Sequence, residues 1–148
     1  MDTGLLLVLY VGLYDPEQIE RFGRTRQSFT TRDFEFLVAF LDQFERIITT
    51  PHILTEVSNF LGQLSGHVRD GCFAVFAQHV AASTTHEHLP PAEDLTNSAG
   101  FVRFGITDTS IFEVAAEPYL VLTTDYRLHG HLTSRGIAAL NYNHFRPL

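Results

Sequence analysis

Glu56 and Asp108 stand where acidic side chains are uncommon. On a helix, Glu56 borders the apolar face made by Ile53 and Phe60, because residues three and four apart are neighbours there. Asp108 has the same relation to Ile111. Burying an unpartnered carboxylate costs several kcal/mol or forces it to take up a proton. Such acids therefore indicate a bound cation or a ring of hydrogen-bond donors.

Two further acids flank apolar runs. Asp125 follows the buried-strand pattern of residues 119–123, and ligands collect at the carboxyl ends of parallel strands. Asp2 precedes the apolar run Leu5 to Val11. For Asp108 or Asp125 taken alone, a helix cap is an equally good interpretation. Together, in a chain whose ten basic residues are all arginine, the four acids favour a site for Mg²⁺ or Mn²⁺.

The histidines and the single cysteine raise the alternative of a zinc site. The close pairs His86/His88 and His129/His131 lack the helical i, i+4 spacing of hydrolytic zinc motifs, and Cys72 has no companion thiol. Solvated histidines on loops and helix surfaces are the preferred interpretation. The apolar neighbours of Cys72 predict a raised thiol pKa, so this residue is a poor nucleophile.

Length and charge narrow the function classes. A chain of 148 residues predicts one domain over 1–148, and 12% aromatic residues exclude a disordered protein. The formal net charge of −7 argues against non-specific adhesion to nucleic acid or to an anionic membrane. The longest apolar run is too short to span a bilayer, and no cationic signal start is present. We expect a cytoplasmic protein with no membrane partner.

The apolar pattern predicts the elements that must position these acids. Thr30 and Asp33 have the spacing of a capping box ahead of an amphipathic helix. The run Leu5 to Val11 predicts a buried core element. Strands are predicted at 46–50, 119–123 and 137–140, a loop at 83–91, and helices at 30–44, 51–64, 70–82, 92–104, 107–116 and 125–134. Strand, helix and strand over 119–140 predict a parallel crossover and an α/β fold.

Aromatic residues form a second apolar row on the first of these amphipathic helices. Phe36, Phe40 and Phe44 recur every four residues beside the face that contacts the core. A helix that is apolar around much of its circumference suggests a surface covered by another subunit. This row predicts a homodimer.

The acids and their neighbours resemble a known family. The chain is similar to a PIN domain, the nuclease fold of many toxins in toxin–antitoxin modules and of several RNA-processing enzymes. The resemblance covers nearly the whole chain. It is carried by segments 2–6 (DTGLL), 51–57 (PHILTEV), 105–111 (GITDTSI), 120–128 (LVLTTDYRL) and 136–141 (GIAALN).

The resemblance implies a fold and an activity. The fold is a three-layer α/β/α sandwich around a parallel sheet of about five strands, and the activity is hydrolysis of RNA with one or two Mg²⁺ or Mn²⁺ ions. The implied metal and catalytic residues are Asp2, Glu56, Asp108 and Asp125, supported by Thr3 and Thr123. Independently of the family, carboxylate-held metals activate water for attack on phosphorus. Arg127, two residues after Asp125, is a candidate phosphate contact, although a solvated helix arginine is the preferred interpretation. An antitoxin protein is the expected partner of a toxin.

The start of the chain departs from the family pattern. PIN domains have a central strand leading into the first acid, whereas only Met1 precedes Asp2 here. Loss of that strand predicts unpaired backbone groups on two neighbouring strands, and it favours a catalytically silent PIN-like module that binds RNA or protein. The complete set Glu56, Asp108 and Asp125 favours activity instead. A phosphatase of the haloacid dehalogenase type is a poorer alternative, because Asp2 is not followed by the required Asp-x-Asp pattern.

Overall fold

Helices dominate the fold, and its strands are short. The computed structural model describes residues 1–25, 28–115 and 118–147. The helices are α1 (Thr3–Tyr14), α2 (Gln18–Arg21), α3 (Thr31–Leu41), α4 (Pro51–Leu61), α5 (Gly66–Ala81), α6 (Ala92–Asn97), α7 (Phe101–Val114) and α8 (Tyr126–Ser134). The strands are β1 (Ile47–Thr49), β2 (Thr85–Glu87), β3 (Val121–Thr123) and β4 (Ala139–Asn141), and a 3₁₀ turn covers Tyr142–His144.

The core is built around α1. Every residue from Leu5 to Val11 is buried, so this helix is apolar on all sides, as expected of one surrounded by protein. It contacts α3, α4, α5 and β3. The predicted core element is therefore confirmed. Within the described ranges, no helix combines the length and apolar character needed to cross a membrane.

Helix starts follow the predicted capping chemistry, whereas helix ends differ. Thr30 and Asp33 form the predicted capping box at the start of α3. Thr50 caps α4 by accepting the Ile53 N–H, with Pro51 in the first turn. Both helices end three residues earlier than predicted, at Leu41 and Leu61, because apolar side chains after the last full turn can pack without being helical.

Several predicted boundaries in the middle of the chain are wrong. Helix α5 begins at Gly66 instead of residue 70. The predicted loop 83–91 contains β2, whose polar sequence gives no strand signal. The single helix predicted over 92–104 is broken between α6 and α7, and the backbone at Gly105 (φ 78°) kinks α7 in the left-handed region that glycine tolerates. The predicted helix end at Ala116 lies outside the described residues.

The strands form two separate parallel pairs. Strand β1 pairs with β2, and β3 pairs with β4 across α8, which confirms the parallel connection predicted over 119–140. The mixed helix and strand content agrees with the predicted α/β class. A continuous central sheet is not present among residues 1–25, 28–115 and 118–147, so the predicted three-layer sandwich is not seen. Within those ranges β1 and β3 each pair with a strand on one side only.

The phenylalanine row on α3 contacts the C-terminal segment. The Phe36 and Phe40 rings lie 5.9 and 5.2 Å from the Phe145 ring, whereas Phe44 remains 42% exposed. Two of the three rings therefore pack within the chain itself. The homodimer stays a prediction, which sedimentation at micromolar concentration checks.

Gly12 allows α1 to approach α3 closely. A Cβ at this position would lie 2.3 Å from the buried Phe34 ring, so Gly12→Ala should lower the free energy of unfolding by roughly 1–3 kcal/mol through overpacking. Gly130 on α8 has open space around it, and Gly130→Ala should raise the free energy of unfolding by about 0.5–1 kcal/mol. Urea denaturation of both variants checks these opposite signs. Equal effects would contradict the role given to Gly12.

Candidate functional site

Four separate segments carry the predicted acids. Asp2 precedes α1 as its N-cap, and Asp125 has the same position before α8. Glu56 lies on α4, and Asp108 lies on α7 after the kink at Gly105. The capping interpretation is thus correct for Asp125 and wrong for Asp108, which lies inside α7, and the cap at Asp2 was not predicted.

Asp2 is held by a dense set of donors. Its Oδ1 accepts the Leu5 N–H at 2.9 Å, and its Oδ2 accepts the Thr123 hydroxyl at 2.6 Å and the Thr124 N–H at 2.8 Å. The side chain is buried, and these bonds satisfy it as an anion. Asp2 therefore caps α1 and also links the start of the chain to the carboxyl end of β3.

The two predicted supporting threonines both contact this group of acids. Thr3 donates its hydroxyl to Glu56 Oε2 at 2.8 Å. The fully buried Thr123 donates to Asp2 and accepts the Asp125 N–H at 3.0 Å. One small hydroxyl therefore joins α1 to α4, and the other joins the two capping aspartates.

Only one carboxylate oxygen of Asp125 is held by backbone hydrogen bonds in the described part of the chain. Its Oδ1 accepts the Arg127 and Leu128 N–H groups at 2.6 and 3.0 Å. Within the described part of the chain, its Oδ2 accepts no hydrogen bond, and the residue is exposed. The cap therefore leaves an oxygen turned to solvent at the carboxyl end of β3.

Asp108 is the electrostatic centre of the group. Burial raises its pKa to about 6, and the negative charges of Asp125, Asp2 and Glu56 add to this increase. Such a coupling requires all four carboxylates to lie in one neighbourhood. The structure thus places the other three acids near enough for their charges to act on Asp108.

No ion pair within the described residues involves these four acids. Among the residues that the structure describes, the ion pairs engage Glu17, Asp70 and Asp33, and none engages the four acids. Within the same residues, no three His, Cys, Asp or Glu side chains close around a single point as metal ligands. Repulsion between uncompensated carboxylates favours such an open arrangement.

Comparison with known proteins gives no further guide. No protein-family model, curated protein or solved structure matches the chain. The function therefore has to be inferred from the chemistry of the site itself.

Residues without a sequence signal complete the surroundings of the acids. Asn143 donates its Nδ2 to the Thr124 carbonyl at 2.9 Å, which fixes the loop that binds Asp2. The Arg103 guanidinium lies 5.0 Å from the Phe104 ring centre, in the turn before Gly105. Asn143 stands in no distinctive local pattern, because its hydrogen bond joins distant segments, whereas the contact of Arg103 is with its sequence neighbour Phe104.

Arg127 lies on the exposed side of this neighbourhood. Its guanidinium is 6.0 Å from the centre of the Phe104 ring, which Arg103 also contacts. Two arginines from different helices therefore share one ring near the acids. This arrangement provides positive charge beside a negative site.

His131 and Cys72 are two of the residues considered for a zinc site. His131 packs against the rings of Phe104 and Phe112, at 4.8 and 4.7 Å, so the prediction of a solvated histidine is wrong for this residue. Cys72 is buried, and burial raises its thiol pKa to about 11, which confirms the predicted poor nucleophile.

Stability should depend on pH through Asp108. Its folded-state pKa of about 6 exceeds the ordinary value of 3.8, so the folded protein binds this proton more tightly. Its contribution is therefore fully present below about pH 4 and is lost as pH rises through about 6. We expect the parent to lose about 1–2 kcal/mol relative to Asp108→Asn over this range, after allowance for screening.

Urea denaturation of both proteins in chelator, from about pH 4 to pH 7, measures that difference. The exposed Asp94 provides the matched control, since Asp94→Asn should follow the parent. Parallel pH profiles for the parent and Asp108→Asn would show that Asp108 is not coupled to the other acids.

Proposed function

We propose that this protein is a metal-dependent ribonuclease of the PIN type, which hydrolyses RNA phosphodiester bonds with Mg²⁺ or Mn²⁺. Its biological setting in this proposal is the toxin of a toxin–antitoxin pair. A short neighbouring reading frame for a DNA-binding antitoxin would support that setting.

One observation carries the proposal. Burial and the negative charges of three other carboxylates, Asp125, Asp2 and Glu56, raise the pKa of Asp108 to about 6, and no described arginine or histidine forms an ion pair with these four acids. Perturbed carboxyl pKa values cluster at functional sites, and binding of a hard divalent cation would remove the repulsion here. The donor set therefore fits Mg²⁺ or Mn²⁺.

Each acid has a distinct part in this proposal. Glu56, Asp108 and Asp125 would hold the ion, because each has oxygen capacity beyond its bonds within the described protein. Asp2 would contribute its charge and keep β3 and α1 in place through Thr123 and Thr124. When bound, the ion supplies the Lewis acidity that activates water and neutralises charge on the scissile phosphate.

Two arginines are the proposed contacts to the RNA substrate. The guanidinium groups of Arg103 and Arg127 both lie against the Phe104 ring, so two cationic groups are available to phosphates. This local positive charge explains how a protein of net charge −7 would bind RNA. It also limits binding to one place on the surface.

RNA cleavage provides the direct test. The purified chain is incubated with single-stranded and with structured RNA in Mg²⁺ or Mn²⁺, and the products are separated on a denaturing gel. We expect cleavage with metal and its loss on chelation. Intact RNA with both metals would contradict the proposed nuclease.

A second candidate is a silent module that binds RNA or protein. The open arrangement of the carboxylates, which in the described residues does not close around one point, favours it. Retarded but uncut RNA in a native gel, with binding insensitive to chelator, would identify this alternative.

A further inference from the structure

Tyr126 is an exposed aromatic residue next to the acids. It follows Asp125 directly, at the first position of α8, and it is 61% exposed. Consecutive Cα atoms lie about 3.8 Å apart, so this residue stands at the edge of the group of acids. Single exposed apolar residues are common on protein surfaces. What distinguishes Tyr126 is that its ring belongs to a row of aromatic side chains.

Two histidines complete this aromatic row. The His144 ring centre lies 5.5 Å from that of Tyr126, at an interplanar angle of 48°, and the His129 ring lies nearly perpendicular to His144 at 5.6 Å. His129 follows Tyr126 on α8, whereas His144 belongs to the 3₁₀ turn after β4. The row of Tyr126, His144 and His129 therefore joins two elements and begins beside Asp125.

Hydrogen bonds fix the backbone at both ends of the contact between Tyr126 and His144. Asn143, next to His144, donates its Nδ2 to the Thr124 carbonyl at 2.9 Å. The cap made by Asp125 holds the first turn of α8, which carries Tyr126. The spacing of the two backbones is therefore set before a ligand binds, and such preorganisation lowers the cost of binding.

Arg127 extends in another direction from the same turn. Its guanidinium and that of Arg103 lie against the Phe104 ring on α7, whereas Tyr126 contacts the turn after β4. Within the described ranges, neither of these arginines forms an ion pair. The exposed Asp125 therefore has two cationic groups in one direction and an exposed aromatic ring in another.

Single-stranded RNA matches this combination best. Aromatic side chains bind unpaired bases by stacking, which tolerates any base, and arginines bind phosphate groups. In a duplex the bases are already paired and stacked, so their faces cannot reach an exposed ring. A small anion would use the arginines alone and would leave the position of Tyr126 without a role.

We propose that Tyr126 is the stacking platform for an unpaired base of single-stranded RNA, with His144 holding its ring in place. The base lies beside Asp125, and Arg103 and Arg127 bind phosphates of the same strand. This selectivity for single strands rests on the proposed function, which brings RNA to the acids. Stacking requires no metal, so binding can be tested separately from cleavage.

RNA binding in chelator tests the platform with the full chain. The probe is a single-stranded RNA of about 12 nucleotides with 2-aminopurine at each position in turn, compared with the same strand annealed to its complement. Filter binding at about 50 mM KCl measures affinity, and quenching of the 2-aminopurine fluorescence measures stacking. The parent should bind the single strand at least about tenfold more tightly than the duplex, with quenching at one or two positions.

Variants of Tyr126 separate stacking from apolar contact. Tyr126→Leu keeps an apolar side chain without a ring, so it should weaken single-strand binding at least about fivefold and abolish the quenching. Tyr126→Phe keeps the ring and should retain most of both. Leu13→Ala is the matched control, because it removes another exposed apolar side chain about 16 Å along α1 from Asp2 and should bind as the parent does.

Variants of the neighbours separate support of the ring from phosphate contact. His144→Ala should reduce the quenching and leave the salt dependence of binding as it is, whereas His144→Phe should restore the quenching. Arg103→Gln should weaken binding of single strand and duplex alike. It should also lower the slope of log affinity against log salt by about 0.7 for the single strand, because one phosphate contact is lost.

Two results would overturn the proposal. The first is equal single-strand affinity and equal quenching in the parent and Tyr126→Leu. The second is a parent that, in chelator, binds the single strand no better than the duplex or binds neither. Cleavage with Mn²⁺ alongside either result would keep the proposed nuclease and remove the platform. Binding that depends on Tyr126 without any cleavage would keep the platform and remove the nuclease.

Discussion

RNA cleavage should fall by at least about 100-fold when Asp108 is replaced by asparagine. The substitution preserves size and hydrogen-bonding reach but removes the charge at the centre of the four acids. Because burial and three carboxylates already oppose ionisation of Asp108, its loss should leave the metal-free fold as stable or more stable. Single-turnover cleavage in Mn²⁺ measures the first effect, and urea denaturation measures the second.

Controls separate lost chemistry from lost structure. Asp94→Asn removes an exposed acid on α6 and should cleave at the parental rate. Thr123→Val removes the hydroxyl that joins Asp2 to the Asp125 N–H, and it should lower both cleavage and stability. An Asp108→Asn protein that cleaves as fast as the parent would remove this residue from the proposed mechanism.

The grouping of the acids was predictable because local patterns place each of them. Asp125 follows an apolar strand, and Glu56 lies on a helix whose cap and first-turn proline are explicit in the sequence. Parallel strands and the helices between them bring such positions to one edge. The roles of Thr124 and Asn143 could not be predicted, since their bonds join distant segments.

The sequence of α1 does not show whether this segment is a helix or a strand. Residues 5–11 predict burial, but a run without periodicity is compatible with a strand as well as a helix. Its helical form follows from tertiary context, with Asp2 capping the start and helices packed around it. Strand β2 gives no signal in the sequence, because its residues are polar and form a strand only by pairing with β1.

The division of the strands into two separate pairs could not be predicted from the sequence. The groove between β1 and β3 depends on how α3, α4 and α7 pack, which no local pattern specifies.

Binding of Mn²⁺ should stabilise the folded protein strongly at about pH 7.5. An ion that binds only the folded state raises the free energy of unfolding by about 2.7 kcal/mol at 100 times its Kd. For a domain of this size, that corresponds to an increase in melting temperature of roughly 5–10 °C. The increase should be smaller at about pH 5, because Asp108, with its pKa of about 6, is then mostly protonated and must lose a proton to bind the ion.

Variants show whether the four acids are the binding place. Asp108→Asn should lose most of the Mn²⁺-dependent increase, whereas Asp94→Asn should keep it. Potassium chloride at equal ionic strength should have little effect, because screening alone does not bridge separate carboxylates as a divalent ion does. An increase of equal size at both pH values and in Asp108→Asn would locate the ion elsewhere, and the repulsion around Asp108 would then need another explanation.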